Sequence, residues 1–179
     1  MAERTAMSLI HASREGTVPI VMGTSPCSYT MIHYDEILEG QLLEKWQQVN
    51  IYDITEYLHD RVLPKLYIRK IKGTAVCHPT CSTMKMEEVD LLQGIASQCA
   101  TNTVTPFHHG CCGFAGDRGL FYPELTKSAT TRETEELSHL GDIIGYFSTS
   151  RTCETGMASA TNQPYQSIVP LIKLASQLG

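Results

Sequence analysis

Seven cysteines stand in the chain: Cys27, Cys77, Cys81, Cys99, Cys111, Cys112 and Cys153. A thiol can act as a nucleophile, half of a disulfide, a soft metal ligand or a small hydrophobe, and its neighbours decide which. Cys99 falls in the apolar helical pattern Leu91, Leu92, Ile95, Ala96, and Cys77 ends the apolar run Thr74-Ala75-Val76; both read as packing. The other five stand among Gly, Pro, Ser and Thr, where loops display side chains. An odd count leaves one thiol over in a full disulfide framework, and a chain this long does not need such staples. Twenty-nine residues separate Cys81 from Cys111, and forty separate Cys112 from Cys153. A zinc ion usually draws on short C-x₂₋₄-C knuckles. The sole C-x-x-x-C pair here is Cys77/Cys81. An iron–sulfur cluster is larger and tolerates dispersed thiolates. Adjacent Cys111 and Cys112 could both be aimed at one large object by a Gly-rich loop, and Gly113, Gly116 and Gly119 would let backbone N–H groups approach it. Zinc binding and thiol–disulfide chemistry at Cys111/Cys112 are the competing readings; the second requires a strained ring.

These thiols need elements to place them. Val18–Met22 reads as a buried strand, 34–48 as a helix, Val49–Tyr52 as a strand and 54–66 as a helix ended by Pro64. Thr74–Cys77 reads as a strand, 84–99 as the strongest helix, and Thr103–Thr105 as a brief strand. A helix over 123–138, a strand over Ile143–Phe147, a short helix after Cys153 and a helix over 167–178 complete the pattern. Residues 1–17 are polar, with little periodicity, and read as a frayed lead. Strands alternating with helices predict an α/β, Rossmann-like layered fold with a mostly parallel sheet. Functional groups then gather in loops at the carboxyl ends of the strands. The loops bearing Cys27, Cys81, Cys111/Cys112 and Cys153 each follow a predicted strand, so these thiols are expected at one rim.

Net charge is −5, which argues against a nucleic-acid partner held through phosphates. No apolar stretch approaches the roughly 20 residues of a membrane span, and no secretory signal is visible, which places the chain in the cytoplasm. The spacing G-x-x-G-x-x-G from Gly113 is not a dinucleotide fingerprint, and the Ser-bearing loops lack a hydrolase order. His78 either serves an inorganic centre or closes the turn before Pro79; His108 and His109 read as loop residues, and Asp117–Arg118 as a local ion pair. Val18–Ser28 (VPIVMGTSPCS) and Asp142–Glu154 (DIIGYFSTSRTCE) look alike, an apolar strand running into a Ser/Thr-rich loop and a Cys. The first copy lacks the long segment that precedes the second, so 18–72 is expected to be the remainder of a first repeat and 73–179 a complete second one, in a piece of a longer protein.

The runs His78-Pro79-Thr80-Cys81, Cys111-Cys112-Gly113-Phe114-Ala115-Gly116-Asp117-Arg118-Gly119, Pro123-Glu124-Leu125 and Ser150-Arg151-Thr152-Cys153-Glu154 resemble the cysteine-rich CCG domain. They look most like the C-terminal part of FAD-linked, iron–sulfur D-lactate dehydrogenases, 2-hydroxy-acid oxidoreductases related to the CCG subunit of heterodisulfide reductase. The resemblance implies two CCG repeats that pass electrons from a flavin to a quinone or cytochrome acceptor. It implies a [4Fe-4S] cluster on Cys81, Cys111, Cys112 and Cys153, with Gly113 beside it and zinc as the alternative. Cys27 would be the last ligand of a second, incomplete site. The family's closing C-x-x-C has Ser150 in place of its first Cys in one repeat and Thr24 in the other. That leaves four thiolates at the complete site where the related reductase's unusual cluster uses five. FAD would lie upstream, with ferredoxin-like domains, and not in this chain. No catalytic residue is expected here, and the isolated piece should be inactive. The alternative function is a zinc-binding or metal-free docking module of the same enzyme. A homodimer of the piece and a peripheral place at the inner face of the membrane are compatible with this reading.

Overall fold

The computed structural model describes residues 1–177. Six strands and ten α-helices follow one another along them. They are α1 (Ala2–Ala12), β1 (Ile20–Met22), α2 (Ser25–Ile32), α3 (Gly40–Trp46), β2 (Ile51–Asp53), α4 (Ile54–Tyr57), β3 (Ile71–His78) and α5 (Cys81–Lys85). Then come α6 (Val89–Cys99), β4 (Ala100–Val104), α7 (Arg118–Phe121), α8 (Pro123–Leu137), β5 (Ile143–Ser148), α9 (Arg151–Thr161), β6 (Tyr165–Gln166) and α10 (Val169–Gln177). The fold is α/β and Rossmann-like, and every strand pairing is parallel. One sheet has the order β4-β3-β5-β6; the other is the pair β1-β2.

The central strand β3 explains the layering. Side chains alternate across a strand, so Ala75 and Cys77 face one way and Val76 the other. Ala75 and Cys77 pack with Leu92, Ile95 and Cys99 of α6 and with Leu171 and Ala175 of α10. Val76 packs with Cys112, Phe114, Tyr146, Cys153, Met157 and Tyr165. Both faces of the sheet are therefore covered, as a parallel sheet requires. A third core joins Ala6 and Ile10 of α1 to Tyr34, Leu38 and Trp46.

Several expectations are corrected. Residues 1–17 are not a frayed lead: Ala6 and Ile10, one helical turn apart, bury against Tyr34 and Trp46, and that contact holds α1. The helix expected over 34–48 starts only at Gly40, after a 3₁₀ turn at His33–Glu36. The helix expected over 54–66 is α4, a π turn at Leu58–Val62 and a 3₁₀ turn at Leu63–Lys65. The helix expected over 84–99 is two, broken where Glu87 takes the left-handed conformation (φ 60°) and Glu88 N–H returns to the Thr83 carbonyl. The stretch around Cys27, expected as a loop, is α2. Leu178, the expected end of the last helix, lies outside the described residues.

Candidate metal centre

The rim of the larger sheet is tied together by hydroxyls. At the end of β3, Thr80 caps α5, its Oγ1 accepting from the Thr83 N–H at 3.2 Å, and Cys81 is the first residue of that helix. At the end of β5, Ser148 Oγ donates to the His78 carbonyl at 2.9 Å. Thr149 Oγ1 lies 2.6 Å from Thr83 Oγ1 and 3.1 Å from Thr80 Oγ1, all three side chains being buried. This knot fixes the loop of Cys81 against the loop that leads to Cys153, the third residue of α9. The smaller sheet meets the same rim: Ser25 N–H donates to the Thr149 carbonyl at 3.0 Å, and Thr24 Oγ1 lies 3.3 Å from Ser150 Oγ.

The loop after β4 brings the remaining pair. Gly113 has φ +69°, and a Cβ there would lie 2.7 Å from the Leu125 carbonyl oxygen, so the Cys-Cys-Gly turn presses on α8 in a way only glycine permits. The Gly113 N–H donates to Cys111 Sγ at 3.4 Å. Phe114 then packs so tightly on Gly119 and Gly156 that neither has room for a Cβ without a shift.

The sulfurs of Cys112 and Cys153 lie 2.9 Å apart. Cys112 and Cys153 are buried and Cys81 and Cys111 exposed, so the expectation that loops display all of them is corrected: Phe114, Met157 and Tyr165 close over two of the four. The Cys112 thiol is drawn down to about 6, chiefly by its hydrogen bond with Cys153, against burial and with the Phe114 N–H and the charge of His78 adding. Cys153 is pushed up by that same bond, by burial, and by the charges of Cys112, Cys81 and Cys111. The two thiols thus share one proton. Cys81 and Cys111 act on Cys153 through space, whereas Cys27, exposed on α2, is not among the groups that do. Cys77 and Cys99 are buried, and burial alone pushes their thiols up to about 12 and about 11.

The interior also holds a histidine–carboxylate pair. His78 is fully buried, and its Nδ1 lies 2.8 and 3.0 Å from the two carboxylate oxygens of Glu133, itself 2% exposed. The other ring nitrogen, Nε2, is buried without a hydrogen-bond partner. Among the described residues no group of three or more His, Cys, Asp or Glu is arranged to hold a metal ion. The site therefore offers soft donors, an N–H on one sulfur and an orphaned buried nitrogen. That combination fits an anionic inorganic group larger than one metal.

No family model matches the chain. A curated relative, the glycolate oxidase iron-sulfur subunit of Escherichia coli (strain K12), is 27% identical over 175 residues. The match takes in 92% of this chain and 41% of that protein, so the chain spans about two fifths of the relative's length.

Sequence reasoning missed Glu133 and the threonine knot. Glu133 lies on α8, whose composition (PELTKSATTRETEEL) reads as a solvated surface, and nothing in the local pattern marks one Glu of four as buried. Thr80 and Thr83 follow the spacing of a helix cap, and that signal could have found them. His108 and His109 are loop residues, bonded to Glu136 and to the Pro106 carbonyl. Asp117 and Arg118 form no ion pair with each other among the described residues; Arg118 opens α7 instead.

Proposed function

We propose that this chain is the iron–sulfur electron-transfer portion of a flavin-linked 2-hydroxy-acid oxidoreductase. The observations that support the reading are the Cys112 and Cys153 sulfurs 2.9 Å apart, the reach of the Cys81 and Cys111 charges to Cys153, and a buried His78 nitrogen without a partner. Cys81, Cys111, Cys112 and Cys153 would hold a [4Fe-4S] cluster, and the Gly113 N–H would stabilise its negative charge. When bound, the cluster supplies a one-electron carrier. The protein keeps two ligands dry and two at the surface, which leaves a short path for an electron to a docked acceptor. The relative's name supports an iron–sulfur subunit, and both glycolate and the D-lactate implied by the sequence motifs are 2-hydroxy acids. FAD belongs to another part or subunit, and a quinone or cytochrome takes the electrons. No helix among the described residues is long and apolar enough to cross a membrane. The chain would work in the cytoplasm, docked against its flavin partner.

Residues 18–72 and 73–179 are read as the end of one cysteine-rich repeat and a complete second one. β1 and β2 pair in parallel around α2, as β5 and β6 pair around α9. Cys27 is the third residue of α2 as Cys153 is of α9, and their capping residues Thr24 and Ser150 share one extended backbone conformation. Cys27 is then the last ligand of a second, incomplete site.

Anaerobic reconstitution with ferrous iron and sulfide tests the assignment. The expected product is brown, bleached by dithionite, with about four irons and four sulfides per chain. One zinc per chain without a redox response would instead support the docking-module reading. A colourless, iron-free protein would remove the electron-carrier function.

A further inference from the structure

We propose that Glu133 is a positioning residue that holds His78 so that the ring's free nitrogen donates a hydrogen bond to the cluster on its Cys112 side, stabilising the reduced form. The inference rests on the electron-transfer reading above. Side chains two apart on a strand share a face, so His78 lies on the face of β3 from which Val76 meets Cys112 and Cys153. Its Nδ1 is committed to both oxygens of Glu133, and its Nε2 has no hydrogen-bond partner among the described residues. A histidine paired with a carboxylate in this way carries N–H on both nitrogens when charged. A buried N–H without an acceptor costs free energy, and a buried ion pair is often no better for stability than apolar residues of the same volume. Neither cost is explained by packing alone. Both are offset if an electron-rich sulfur receives the second N–H, because sulfides and thiolates offer lone pairs to donors and gain negative charge on reduction.

The test compares three reconstituted proteins: the parent, His78→Phe/Glu133→Gln, which removes the donor and leaves no buried charge unpaired, and His78→Gln/Glu133→Gln, which retains an amide donor. Each is measured for iron content, for midpoint potential by dithionite titration, and by electron-nuclear double resonance in H₂O and D₂O. The expected result is unchanged iron in all three. The Phe variant shifts to a more negative potential and loses one exchangeable-proton coupling; the Gln variant lies between it and the parent. Equal potentials and equal couplings in all three overturn the proposal while leaving the cluster assignment standing. A parent that loads no cluster removes both. If the Phe variant does not fold, ¹⁵N-histidine labelling of the parent decides: a weak nitrogen coupling supports the hydrogen bond, while no coupling, or the strong coupling of a direct iron ligand, overturns it.

Discussion

At the scale of single residues, the thiols divide by surroundings. Replacing Cys81, Cys111, Cys112 or Cys153 by Ser should each abolish stable iron binding in the reconstituted protein, read by iron and sulfide analysis. Cys99→Ser should leave iron content unchanged and lower stability by about 1–3 kcal/mol, the cost of a buried hydroxyl, read by urea unfolding. A buried carboxyl sets a pH dependence. Burial, with Asp53 and Glu56 adding, pushes Glu88 up to about 7 from an ordinary 4.5, and its Oε2 has no partner. The folded chain keeps a proton there that the unfolded chain has released. Glu88 therefore favours folding at low pH, and that contribution is lost as pH rises from about 4.5 to about 7, with no further change above. The loss should amount to roughly 2 kcal/mol. Unfolding free energies from denaturant titrations at pH 5 and pH 8 should differ by most of that amount, and Glu88→Gln should remove the difference.

At the scale of elements, two junctions decide where the chemistry is held. Gly113→Ala places a Cβ 2.7 Å from the Leu125 carbonyl at φ +69°. It should cost about 2 kcal/mol or more and lower iron retention together with it, because the turn carrying Cys111 and Cys112 must lift off α8. Asp53, fully buried, caps α4 at the Thr55 N–H (2.8 Å) and accepts from Ser28 Oγ at 2.6 Å. Asp53→Ala should cost about 2 kcal/mol, read by thermal unfolding, since it removes a cap and the nearer acceptor of a buried hydroxyl. Elements with strong local signals were legible in the sequence. The apolar run of β3, the Pro-led start of α8 and the alternation of strands with helices predict the layered parallel sheet that the structure has. What was not legible depends on contacts distant in sequence. α1 is helical because Trp46 and Tyr34 cover it, and the break at Glu87 arises from the return of Glu88 to Thr83. The place of Glu133 is set by His78, 55 positions away.

At the scale of the whole molecule, the small core around Trp46 is separate from the two that sandwich the larger sheet. Trp46→Ala should cost about 3–5 kcal/mol. Amide exchange should then show loss of protection in residues 2–53 well beyond any loss in β3 and β5. The larger sheet carries a different consequence, one of timing. Its middle strand is completed only by a partner 70 positions later, where Ser148 reaches the His78 carbonyl. During synthesis, Cys81, Cys111 and Cys112 emerge well before that partner exists, and Cys153 follows it by five residues. The last sulfur thus arrives with the strand that closes the sheet. On the proposed function, an inorganic group can be loaded only once β5 and the start of α9 have been made, and until that moment three of its thiols wait without the fourth.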